Sequence, residues 1–117
     1  MIKAAFNILY AQGYIARASF KGDEEQAFLA ISARAEERKD KQEPVTGAVF
    51  FTHEAVKERG ADGSYPIHFG NPKSEKYGKL GHDPLAIGVA VVRALTKAGT
   101  YCEWDGDPTH PVIVKEN

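Results

Sequence analysis

The sequence predicts an α+β fold: a single domain over residues 1–117, with a mixed β-sheet of four or five strands and helices packed on it. Three observations lead there. Segments with apolar residues at helical spacing (2–12, 24–40, 84–98) are separated by short runs rich in β-branched and aromatic residues (14–20, 45–51, 65–70, 101–104, 112–115). The two kinds alternate too irregularly for a doubly wound parallel sheet. A chain of 117 residues, 43% hydrophobic, supports one core and leaves no room for a second domain.

In chain order, residues 2–12 form a helix because Ile2, Phe6, Leu9 and Tyr10 recur three and four apart, and Gly13 stands where a C-terminal cap belongs. Residues 14–20 alternate as a strand, imperfectly. Lys21-Gly22 turns the chain, and Asp23 caps the next helix with Gln26 completing a capping box. That helix runs to about residue 40 on a stripe of Ala27, Phe28, Ile31 and Ala35. Its charged end, 34–41, reads as a solvated surface. Gln42-Glu43-Pro44 is a linker. The near-continuous apolar run 45–51 is a central strand covered on both faces. Thr52 caps a short helix, 53–59, closed by Gly60. Pro66 places strand 65–70 near a sheet edge or puts the proline at the strand start.

Residues 71–82 are a long polar loop carrying Lys73, Lys76 and Lys79. Asp83 then caps, and Pro84 opens, the most apolar helix of the chain. Its first two turns are expected to be buried nearly all round. Gly88 marks close approach to a strand, and Gly99 ends the helix. Residues 101–104 and 112–115 are strands, with Asp105-Gly106-Asp107-Pro108 between them.

Fifteen basic and sixteen acidic residues leave a net charge of -1, which argues against a nucleic-acid-binding role. The single cysteine, Cys102, excludes an intramolecular disulfide and a multi-cysteine zinc site. No stretch is apolar enough for a membrane span, and the N-terminus lacks a cleavable leader pattern. A cytoplasmic location is the expectation, and a lone thiol suits it.

Several groups invite chemistry. His53-Glu54 follows the central strand, where polar residues often line a crevice. A zincin motif would need histidine at position 57, which is Lys57. His53 and Asp105 are the candidate catalytic residues, with His53 as donor or base, Asp105 orienting it and Trp104 as an apolar platform. This requires strand 101–104 to neighbour strand 45–51. His53, Glu54, His68, Trp104, Asp105 and Asp107 are the candidate ligand-binding residues. Asp105-Gly106-Asp107 offers two carboxylates, too few for a calcium loop, and reads as a turn in preference to a cation site. His68 lies on the strand face opposite Ile67 and Phe69. The sequence implies no metal site and no cofactor.

Two stretches resemble a family of small uncharacterised bacterial proteins. One is Gly47-Ala48-Val49-Phe50-Phe51-Thr52-His53-Glu54 running on to Tyr65-Pro66-Ile67-His68-Phe69-Gly70. The other is Ile87-Gly88 through Ala98-Gly99 to Glu103-Trp104-Asp105-Gly106-Asp107. A Gly-x-Val-Phe-Phe strand, a Phe-Gly strand end, an apolar helix and a Trp-Asp-Gly end occur in the same order. The family tends to carry cysteines in its first strand-to-helix turn, which here is Ser19-Phe20-Lys21-Gly22. The resemblance implies a bacterial cytosolic protein and no particular activity.

The leading functional expectation is a non-catalytic binding or interaction domain, with a protein partner or a homodimer. Two readings stand beside it. One is a small hydrolase or transferase with its site at His53 and Asp105. The other is an anion or nucleic-acid binder using the lysines of 71–82 together with Arg17 and Lys21.

Overall fold

The structure, a computed structural model, describes residues 2–115. Helix α1 (Ile2–Ala11) leads into strand β1 (Tyr14–Phe20) and helix α2 (Glu24–Asp40). Strand β2 (Gly47–Thr52), the one-turn α3 (His53–Lys57) and strand β3 (Ser64–Gly70) follow. A hairpin of β4 (Lys73–Ser74) and β5 (Gly78–Lys79) precedes α4 (Pro84–Lys97), then β6 (Cys102–Glu103) and β7 (Val112–Lys115). The main sheet has the order β1-β2-β3-β7-β6. β1 and β2 are parallel, and every other pair is antiparallel. This is the mixed α+β sheet that the patterning implies.

The local signals act as their chemistry dictates. Asp23 accepts from the Gln26 amide at 2.8 Å while the Gln26 side chain accepts from the Asp23 amide at 2.9 Å, closing the capping box of α2. Thr52 caps α3 by accepting from the Ala55 amide at 3.1 Å. Gly13 adopts a φ of 92° at the end of α1, a conformation that favours glycine.

Two cores form because β2 and β3 alternate between apolar faces. Val49, Phe51, Tyr65, Ile67 and Phe69 face α1 and α4, with Val112 and Val114 of β7 continuing the layer. Phe50, Ala48 and Ile15 face α2, where Ala27, Ile31 and Ala35 are buried. Every residue of β2 is buried, consistent with its interior place in the sheet.

β3 is the middle strand of the sheet, and of the two placements open to Pro66 the strand start holds. Pro66 is accommodated near the strand start because β2 pairs with β3 only from His68 to Gly70, so the ring lies past that ladder. Four expectations need correction. Asp83 makes no side-chain cap on α4, although Pro84 does open it. Segment 71–82 is not a free loop: Ser74 is buried, donates to Glu36 at 2.5 Å, and accepts from the Lys76 and Tyr77 amides. The charged end of α2 is not wholly solvated, since Arg38 is buried with its guanidinium 5.5 Å from the Tyr10 ring centre.

The fourth correction bears most on function. The first two turns of α4 are not buried all round. Ile87, Gly88 and Val91 are buried, but Leu85 is 47% and Val89 36% exposed. The helix is apolar on more sides than the fold has elements to cover. α1 lies against one flank and the β6 end of the sheet against the other, leaving the outward stripe bare.

Candidate functional site

The residues singled out in the sequence fall in three separate places. The first is the shared C-terminal end of β1 and β2. Because these strands are parallel, both deliver their chains to one edge of the sheet, where α3 and α2 begin. His53 and Glu54 there border a shallow crevice of about 500 Å³ with Lys21, Gly22 and Asp23. Its facing wall is the β1–α2 turn. The Asp23 carboxylate on that wall is engaged by its own helix. His53 and Glu54 are exposed, so water screens what they can do to a ligand.

The second place is the α2 face of β3. His68 stacks on Phe50, with ring centres 5.1 Å apart and an interplanar angle of 25°, and its Nε2 lies 3.2 Å from Glu24. Burial pulls its pKa below the ordinary imidazole value, and Glu24 partly offsets this. The imidazole thus links β3 to the first turn of α2.

The third place is the turn after β6. The Trp104 ring lies against Gly88 and meets Phe69 edge-on at 5.7 Å. Its Nε1 donates to the carbonyls of Asp107 at 3.0 Å and His110 at 3.2 Å. Asp105 accepts from the Asp107 amide, and Asp107 accepts from the amide and hydroxyl of Thr109. The two carboxylates therefore build the turn. The partner of Asp105 is His110, 2.6 Å away, which holds the Asp105 pKa down and raises that of His110. His110 is missing from the candidates read in the sequence, because nothing local signals that a five-residue turn closes this pair.

The structure does not bring His53 and Asp105 together. β3 and β7 stand between β2 and β6, a separation of roughly 14 Å across three strand spacings. β6 also runs antiparallel to β2, so the chain leaves the two strands at opposite ends of the sheet. The expected adjacency of these strands is wrong because β7, the last strand in sequence, inserts between β3 and β6. Among the described residues, no group of three or more His, Cys, Asp or Glu side chains is arranged to hold a metal ion.

The lysines of 71–82 do not form one free cluster. Lys76 is bound to Asp40 at 2.6 Å, and the Tyr77 hydroxyl donates to the same carboxylate at 2.5 Å. Lys73 and Lys79 face each other across the β4–β5 pair. The Cys102 thiol is half-buried, and burial raises its pKa, which disfavours the reactive thiolate. No helix among the described residues is long and apolar enough to cross a membrane.

The remaining concave surface flanks the bare stripe of α4. On one side a groove of about 500 Å³ runs between α1 and α4, with Ile8, Gln12 and Leu85 in its walls and Arg93 and Lys97 at one end. On the other side a groove of about 660 Å³ lies between Val89 and Val92 and the Cys102–Trp104 edge. Leu85, Val89, Arg93 and Lys97 were not among the sequence candidates. The i, i+4 spacing of the first two is present in the sequence, where it predicts burial.

No curated protein and no solved structure matches the chain. The family model described as a domain of unknown function (DUF6891) matches residues 2–117, nearly the whole length, and the chain belongs to that family.

Proposed function

We propose that this domain works in the cytoplasm by binding a protein partner rather than by catalysis, and that the partner docks on the outward face of α4. The carrying observation is that Leu85 and Val89, one turn apart, are exposed between two grooves. Other large exposed apolar side chains among the described residues are placed differently. Tyr10 lies beside Arg38, Tyr77 is bound to Asp40, Tyr101 bonds Glu103, and Leu29 is on α2. Covering Leu85 and Val89 would contribute on the order of 1 kcal/mol each. Paired apolar residues rimmed by charge are what interaction surfaces expose.

The rival readings draw on residues that the fold separates or occupies. A hydrolase site needs His53 and Asp105 in contact, and three strand spacings divide them. An anion site on 71–82 loses Lys76 to Asp40.

The test is a photoreactive amino acid at Val89, with the same probe at the exposed Glu25 of α2 as control, in cells making the protein at its natural level. The expected result is one discrete protein adduct from position 89, identified by mass, that is lost on Leu85→Asp and absent from position 25. No adduct from position 89, or equal labelling from both positions, overturns the reading.

A further inference from the structure

Resting on that docking face, we infer that the partner is a second copy of this chain, joined through α4 packed antiparallel against α4 about a twofold axis near Ala90. The argument is the charge pattern along the stripe. Asp83 stands at one end of α4, and Arg93 and Lys97 stand at the other. Apolar Leu85, Ala86 and Val89 lie between. A twofold axis near Ala90 reverses this order on the facing helix. Asp83 of one copy then lies opposite Lys97 of the other, twice per dimer, and the Arg93 stem covers Ala86 of the other copy. A parallel arrangement would set like charges together. Antiparallel helix dipoles favour the same orientation.

The charges are available for that role. Among the described residues, Asp83, Arg93 and Lys97 make no ion pair. Asp83 stands at the helix cap position, yet its carboxylate makes no cap hydrogen bond. The three charges that would complement one another across the axis are therefore not already engaged in an ion pair among the described residues. Ala86 and Ala90, one turn apart, let the two helices approach closely around Val89.

The size suits a weak, reversible dimer rather than an obligate one. α4 is roughly 21 Å long at 1.5 Å per residue. A single helix-to-helix contact of that length lies at the low end for specific association.

Sedimentation equilibrium of the full chain from about 1 to 300 µM, the range in which weak association shows, tests this directly. Wild type should show a reversible monomer–dimer equilibrium. Val89→Arg, at an exposed position, should be monomeric while keeping the wild-type far-ultraviolet circular dichroism spectrum. Asp83→Lys and Lys97→Asp should each weaken the dimer by roughly tenfold, and the two together should restore it to near wild type. That rescue is an outcome a merely structural role for either residue would not give. A chain monomeric throughout, a dimer indifferent to Val89→Arg, or a double variant no better than the singles overturns the inference. If position 89 crosslinks a different protein while the chain stays monomeric, the second copy is wrong and the docking face stands. If position 89 gives no adduct, the docking face itself fails.

Discussion

Gly88→Ala isolates the contact that fixes the β6 turn to α4. In an exposed helix this substitution is stabilising, by about 1 kcal/mol, because alanine restricts the unfolded chain and favours helix. Here a Cβ would sit 2.5 and 2.7 Å from two carbons at the tip of the Trp104 ring and 3.0 Å from Phe69. Ordinary contact needs the ring to retreat by roughly 1 Å. The ring is not free to do so cheaply, since Phe69 meets its edge and Nε1 holds the carbonyls of Asp107 and His110. Swinging outward breaks those bonds, and lifting α4 separates Ile87 and Val91 from the sheet. Overpacking of this kind costs about 1–3 kcal/mol and outweighs the propensity gain. The net loss is up to about 2 kcal/mol, and at roughly 4 °C per kcal/mol for a chain of this size the melting temperature should fall by up to about 8 °C. Thermal unfolding followed by circular dichroism measures this. In a Trp104→Leu background the same substitution should be neutral or stabilising, because the obstacle is gone. A Gly88→Ala protein that melts at or above wild type, with unchanged Trp104 emission, would refute the reasoning.

Two further outcomes follow from the turn and the hairpin. His110 should titrate above the ordinary imidazole value of 6.5, because Asp105 hydrogen-bonds and attracts its charged form. Asp105 is held below the ordinary carboxylate value of 3.8 by the same pair. The pair's stabilisation from His110 is thus fully present below pH 6.5 and is lost as pH rises through the higher folded value. From Asp105 it is present above 3.8 and is lost as pH falls through the lowered one. Nuclear magnetic resonance titration of the His110 ring should show the raised value, and Asp105→Asn should return it towards 6.5; a wild-type value at or below 6.5 contradicts the pairing. Ser74→Ala should loosen the β4–β5 hairpin, since its hydroxyl serves two amides and Glu36. A local cost of about 1–2 kcal/mol should appear as faster amide exchange at Lys76 and Tyr77, and unchanged exchange there would show that the hydroxyl is dispensable.

The sequence by itself determined what is decided within one helical turn or one strand repeat. The Asp23–Gln26 box, the Thr52 cap and the Gly13 stop are hydrogen-bonding or backbone matters local to a few residues, so residue type and spacing settle them. The alternation of Val49 and Phe51 against Ala48 and Phe50 likewise divided β2 between two faces before either face had a cover. Strand order was out of reach, because placing β7 between β3 and β6 depends on residues far apart in the chain. That one insertion put Pro66 in the middle strand and separated His53 from Asp105. The open stripe of α4 was hidden for a related reason. Hydrophobic periodicity states which side chains prefer to leave water, and the supply of neighbouring elements decides which of them can. Only the tertiary arrangement shows that α1 and the β6 edge cover the flanks of α4 and leave Leu85 and Val89 in solvent.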